Sequence, residues 1–247
     1  MRIIYLVLFL SFSSNLSLIL KADSFEYNSF NNHGVIGLIN MPSARFYDES
    51  SYGLTLFGGD PDQKITMTSY PYDWLEASFF YTNINDKPYC ERELDPICKQ
   101  DYKDKGFNFK LRIKEEDKWP AIAIGINDMA GTGFYGSEYI VGSYGINKTD
   151  FHFGIGWGNL NGSKERFKNP LGSIYDGFYQ RDDATDQGGQ FQPSRYFSGD
   201  TASPFFGFLA MRASLFFTSK TPKPRNSTLS FLESALAILS KKTLIIF

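Results

Sequence analysis

Between Trp119 and Trp157 the chain reads WPAIAIGINDMAGTGFYGSEYIVGSYGINKTDFHFGIGW, and no other stretch restricts the fold as tightly. Three strands are expected here, over Ala121–Asn127, Ser137–Tyr144 and Phe151–Trp157. In the first, Ile122, Ile124 and Ile126 point one way and Ala121, Ala123 and Gly125 the other. In the third, Phe151, Phe153, Ile155 and Trp157 share a face opposite His152, Gly154 and Gly156. A period of two marks a strand whose faces meet different surroundings. A soluble sheet sets charged residues on its wet face. Here one face is bulky and apolar and the other is small, which is the grammar of a membrane barrel with lipid outside and a polar interior.

Composition agrees with that reading. Formal net charge is −2, so no basic field attracts nucleic acid. Aromatics reach 17 %, with 24 Phe and 15 Tyr, residues suited to strands and membrane interfaces. The 22 Gly and a mean hydropathy of −0.28 argue against a bundle of membrane helices, but not against a barrel in which every second residue faces inward. Residues 1–22 read as a secretory signal: Arg2 gives the positive start, Ile3–Leu20 the apolar core, and a cut after Ala22 fits. No Cys lies near that cut to carry a lipid. In an exported chain Cys90 and Cys98, close together in one charged loop, are expected to form a local disulfide.

Further strands are expected at Tyr52–Gly58, Ile65–Tyr70, Trp74–Thr82 and Gly106–Lys114. In the last, Phe107, Phe109, Leu111 and Ile113 alternate with Asn108, Lys110, Arg112 and Lys114. Connections differ by parity: the even ones near 71–73, 115–119 and 145–150 are all short, while among the odd ones 83–105 and 158–200 are long, 128–136 is intermediate and 59–64 is short. Odd and even turns of a meander lie on opposite rims, and outer-membrane barrels have short periplasmic turns and longer external loops. Gly158–Asp200 is the longest irregular piece, either a glycan-contacting loop or a mobile external one. The strand pattern stops inside the run Ser203-Pro-Phe-Phe-Gly-Phe, and the tail 209–247 loses alternation and nearly all its acids, as a shifted or truncated reading frame would.

Motifs for chemistry are sparse. Gly131-Thr-Gly-Phe-Tyr-Gly136 fits a dinucleotide-binding string, but strand-like sequence follows where a helix should, so a hairpin loop is the expectation. His33 and His152 are too few for a metal cluster, and no metal or other cofactor is expected. No nucleophile elbow is present. Acids such as Asp182-Asp183 and Glu115-Glu116-Asp117 sit in turns, where solvated charge explains them. The stripe Asn108, Lys110, Arg112 and Lys114 has two readings: a basic lumen track for an acidic polysaccharide, or a solvated sheet face. Glu76, Asp128 and Glu138 are the acids placed to pair with it across the lumen.

Four strings resemble the YjbH family of bacterial exopolysaccharide-associated proteins. They are Gly34-Val-Ile-Gly-Leu-Ile-Asn-Met-Pro-Ser-Ala-Arg, Tyr72-Asp-Trp-Leu-Glu-Ala and Lys103-Asp-Lys-Gly-Phe-Asn-Phe-Lys-Leu-Arg, then Pro120-Ala-Ile-Ala-Ile-Gly-Ile-Asn-Asp-Met-Ala-Gly-Thr-Gly with Ser137-Glu-Tyr-Ile-Val. The resemblance runs over about residues 34–207 and implies an outer-membrane β-barrel encoded with polysaccharide secretion machinery, in a family of considerably longer members. It implies no catalytic residues.

The expectation is therefore an all-β antiparallel up-and-down meander, forming part or all of an outer-membrane barrel. A signal peptide (1–22), an N-terminal segment (23–51), the meander (52–208) and a divergent tail (209–247) make up the chain. The expected function is non-enzymatic assistance of exopolysaccharide export or assembly, with outer-membrane lipid, polysaccharide and other secretion proteins as partners. The alternative is a soluble periplasmic carbohydrate-binding β-protein. A polysaccharide-modifying enzyme has no supporting constellation.

Overall fold

The computed structural model describes residues 29–59, 62–90, 100–147, 149–162, 166–183 and 188–210. The proposed signal, Cys98 and the tail beyond 210 lie outside them. Eleven strands follow in order: β1 Gly37–Leu38, β2 Met41–Pro42, β3 Ser51–Gly58, β4 Asp62–Tyr72, β5 Leu75–Pro88, β6 Asp101–Lys114, β7 Ala121–Met129, β8 Ser137–Ile146, β9 Thr149–Gly158, β10 Phe167–Lys168 and β11 Thr201–Ala210. Nine form one antiparallel sheet in the order β10-β11-β9-β8-β7-β6-β5-β4-β3, and β1 and β2 make a separate hairpin. Among the described residues no α-helix occurs and the sheet does not close on itself.

Each expected strand is found, several longer than expected. β5 and β6 run on as a tall hairpin that pairs Ile84 with Tyr102, so the long connection shrinks to the residues between Pro88 and Asp101. The dinucleotide-like glycines form the β7–β8 loop, and strand β8 follows. β11 corrects the expectation that strand structure fades inside Ser203–Phe208: it pairs with β9 from Ser203 to Ala210. Its opposite edge meets β10 only at Thr201 and Ala202, and Pro, which lacks an N–H, is tolerated on such an edge.

The two faces of the sheet differ as the alternation requires. Outward rows hold Tyr52, Met67, Phe79, Phe107, Ile113, Ile140 and Phe206, all exposed; Met67 and Ile113 are each 63 % exposed. No second protein layer covers them among the described residues. At the rim of the short turns, Tyr72 and Trp74 stack with ring centroids 5.3 Å apart, and Trp119 is exposed beside the β6–β7 turn.

The inward face is small and polar, but it is not an open lumen. Residues Ser29–Tyr47 fold back across it as a strap. Phe30, Ile36, Ala44 and Phe46 of the strap are buried, and against them lie Tyr70, Ala121, Ala123, Tyr139 and Val141 from the sheet. Thus the core lies between strap and sheet, and among the described residues the opposite face stays bare except near the long-loop rim, where Glu138 and Trp157 are buried. Gly34 has φ +76°, and a Cβ there would come within 2.3 Å of Thr66 Cβ, so only Gly lets the strap press so closely.

Candidate functional site: the strap-covered face and the long-loop rim

Asn31 shapes the start of the strap. Its side-chain oxygen accepts the amides of His33 (2.9 Å) and Val35 (3.3 Å), making the turn that delivers Gly34 to the sheet. Thr68 Oγ1 then donates to Gly34 O at 2.5 Å, and Asn108 Nδ2 donates to Ser78 Oγ at 2.9 Å and to His33 O at 3.5 Å. Asn108 Oδ1 accepts the amide of Asp128 at 3.0 Å. Asn108 therefore joins strap, β5, β6 and β7.

Lys110 is the deepest charge. Its side chain is fully buried, and Nζ donates to Glu76 Oε2 (3.1 Å), Arg45 O (2.9 Å) and Ile36 O (3.5 Å). Glu76 Oε2 also accepts from Tyr70 Oη (2.7 Å) and from the Ile36 amide (3.3 Å). A buried ion pair persists when each partner is also hydrogen-bonded, and here strap carbonyls and a strap amide supply those bonds. Register sets Lys110 directly opposite Glu76 on the neighbouring strand.

A second junction holds the end of the strap. Arg45 spans two acids: Nε and Nη2 donate to Asp150 at 2.8 and 2.6 Å, and Nη1 reaches Glu116. The Ala44 amide donates to Ser143 Oγ at 2.8 Å, and that hydroxyl lies 2.8 Å from His152 Nδ1. His152 Nε2 is 3.6 Å from Asp150 Oδ2. Serine, histidine and aspartate thus meet in sequence, but Ser143 is fully buried, its oxygen is engaged by the strap, and Asp150 is committed to Arg45. The arrangement can fasten the strap; no substrate carbonyl fits against that hydroxyl.

The four stripe residues do share a face, yet none offers a free charge along a lumen. Asn108 and Lys110 are buried under the strap. Arg112 bonds Glu115 at 2.8 Å and lies over the Phe46 ring; Lys114 bonds Asp117 at 2.6 Å. That bond from Lys114 holds the Asp117 carboxyl below its ordinary range. Of the acids expected to pair with the stripe, Glu76 alone does so among the described residues. Asp128, at φ 60°, accepts the Tyr135 amide at 3.1 Å, and Glu138 pairs with Arg181 at 2.6 Å. The reason is register: Glu138 lies opposite Ile126 and Trp157, on the outward row.

That row is covered near the rim by the chain between β9 and β11, which is built and not merely irregular. Asn169 is its hub. Fully buried, it accepts Trp157 Nε1 at 3.0 Å and the Leu171 amide at 3.1 Å, and donates to the carbonyls of Phe178, Phe197 and Gly199. Arg195 donates to Thr132 O, linking this segment to the β7–β8 loop. Trp157, expected beside lipid with Phe153, is therefore buried against Phe197. Within this segment Tyr175 and Phe191 are exposed.

His33 sits in the strap beside Tyr135, and burial, with the nearby Lys64 charge, lowers its pKa to about 3. Cys90 is disulfide-bonded. Among the described residues no group of three or more His, Cys, Asp or Glu is placed to hold a metal ion.

Residues 29–211 match the family model described as "Exopolysaccharide biosynthesis protein YbjH". The chain belongs to the YjbH family. It is 37 % identical over 175 residues to "Uncharacterized lipoprotein YjbH" of Escherichia coli (strain K12), a match covering 70 % of this chain and 25 % of that protein. It thus spans about a quarter of the relative's length. No solved structure matches. The matched region begins with the strap and ends with β11, so the strap belongs to the family unit along with the sheet.

Proposed function

We propose that this chain forms part of the wall of an outer-membrane β-barrel and assists exopolysaccharide export or assembly without catalysing a reaction. The observation that carries this reading is the inverted sheet: its bulky apolar face is bare away from the long-loop rim, and its polar face is filled by its own N-terminal strap. In water, exposure of so large an apolar surface is costly, whereas hydrocarbon accepts it and demands paired backbone groups instead. Strands of 8 to 14 residues suit the roughly 9–11 residues a tilted strand needs to span the bilayer. Tyr72, Trp74 and Trp119 at one rim suit the aromatic girdle of a membrane interface. The bare face also weighs against the soluble periplasmic alternative.

The strap changes how a glycan would be met. With Lys110 and Asn108 covered, polymer contact falls to the rim of long connections, where Tyr175 and Phe191 stand beside polar neighbours such as Gln190. Other exopolysaccharide-secretion proteins are the partners this reading implies; the family's description, an exopolysaccharide biosynthesis protein, supports the polysaccharide pathway. The test is secretion in cells that depend on this chain. Tyr175→Ala with Phe191→Ala should lower secreted polymer while the protein still fractionates with the outer membrane. Full secretion by that variant would overturn the glycan role, and recovery of the protein in the soluble periplasm would overturn the membrane role.

A further inference from the structure

We infer that Asp104 and Asp128 share one proton and with it latch the β7–β8 loop over the long-loop end of the inner face, a closure that opens as pH rises. Both carboxyls are buried, at 2 and 4 % exposure. Each has one engaged oxygen and one bare one. Asp104 Oδ1 accepts the Lys105 amide at 2.8 Å, and Asp128 Oδ2 accepts the Tyr135 amide at 3.1 Å. Asp104 Oδ2 and Asp128 Oδ1 have no donor among the described residues. The two acids lie together. A Cβ at Gly106 would come within 2.4 Å of Asp128 Oδ1, and Gly106 is the next inward position of β6 after Asp104, about 6.6 Å along the strand. Each carboxyl therefore stands in the other's field.

Two carboxyls this close and this well buried do not both ionise readily, and a proton held by one supplies the donor that the bare oxygens lack. The surrounding cations are engaged elsewhere. Lys64 of β4, beside Asp62, lies 3.7 Å from the Tyr135 ring centroid, and Arg195 donates to the carbonyls of Thr132 and Gly133. His33 of the strap is neutral. What the pair holds is a closure. Tyr135 meets Phe80 edge-on, with ring centroids 5.8 Å apart, and covers Lys64. The Ala130 and Thr132 carbonyls of the same loop accept from Gly189 and Arg195, so its release would uncover Lys64 and loosen the β9–β11 connection together. The closed loop binds the proton more tightly than the open one, where each acid meets water and ionises near about pH 4. The latch is therefore complete below that pH and is lost as pH rises through the pair's own higher value, by up to about tenfold per pH unit for one proton released.

The experiment is hydrogen exchange, read by mass spectrometry on the full chain in detergent and corrected for the intrinsic pH dependence of exchange. Between about pH 5 and about pH 8, opening of residues 130–136 in the wild type should rise on the order of tenfold or more, while the amides of β8 stay protected. Asp104→Asn and Asp128→Asn, which each leave a single acid, should flatten that rise, and protection of β8 shows that the variants are folded. A wild-type loop whose opening does not change with pH overturns the latch, since a bridging water would then be the donor. A rise that persists in both Asn variants places the titration in other groups and overturns it as well.

Discussion

Replacing Lys110 with Met separates a structural charge from a polymer track. Lys110 Nζ holds Glu76 at 3.1 Å and two strap carbonyls, with no exposure of the side chain. Met nearly fills the volume but leaves the Glu76 carboxylate buried, with Tyr70 and the Ile36 amide as its described donors. Breaking one side of a buried ion pair costs about 3–5 kcal/mol. That is a shift in the folding equilibrium on the order of a hundredfold or more, and a large share of a typical domain's stability. Urea unfolding of protein refolded in lipid vesicles, followed by tryptophan fluorescence, should show the loss. The double variant Lys110→Met with Glu76→Gln should recover much of it, because no unpaired charge remains. If Lys110→Met unfolds at the wild-type urea concentration while polymer export falls, Lys110 serves the polymer and the account of the strap is wrong.

Three further outcomes follow from named contacts. Gly34→Ala forces a side chain toward Thr66 at φ +76° and should cost at least 1 kcal/mol, read from the same urea midpoint. Asn169→Ala removes the hub under the β9–β11 connection and should leave the sheet folded, as shown by circular dichroism, while limited proteolysis cuts between 166 and 200 faster than in wild type. His33 is kept neutral when folded, with its pKa at about 3, but takes a proton near 6.5 when unfolded. Its contribution is complete above pH 6.5 and is lost as pH falls from there toward 3; His33→Gln should flatten the fall of the urea midpoint across that window.

Much of the meander was legible, because a period of two reports which face of a strand is bulky without reference to the rest of the fold. Tyr52, Met67, Phe107 and Ile140 all point where alternation puts them. β11 was not legible for a local reason. Phe205 lies on the small inner face, where Gly154 opposite makes room: a Cβ at Gly154 would come within 2.5 Å of its ring. A bulky residue among small ones hides the alternation, and Pro204 adds to the disguise. The strap was hidden for a different reason. Its fasteners join residues far apart, Arg45 to Asp150 across 105 positions and Ala44 to Ser143 across 99. One signal was available: Glu76 and Lys110 are charges on inward positions of neighbouring expected strands, and each needs a partner. The cover over Trp157 and Glu138 had no such signal, because the row looks apolar until Asn169 and Arg181 return from the long connection.

The central claim is that hydrocarbon lies against one face of the sheet and the strap against the other. Photo-crosslinking in intact outer membranes tests it most directly, with a benzophenone amino acid placed in turn at Met67, Ile140, Thr66 and Val141. Adducts to lipid from Met67 and Ile140, and to the 29–47 segment from Thr66 and Val141, are the predicted result. Protein adducts in place of lipid at Met67 and Ile140 would show a second layer on the apolar face and contradict the account.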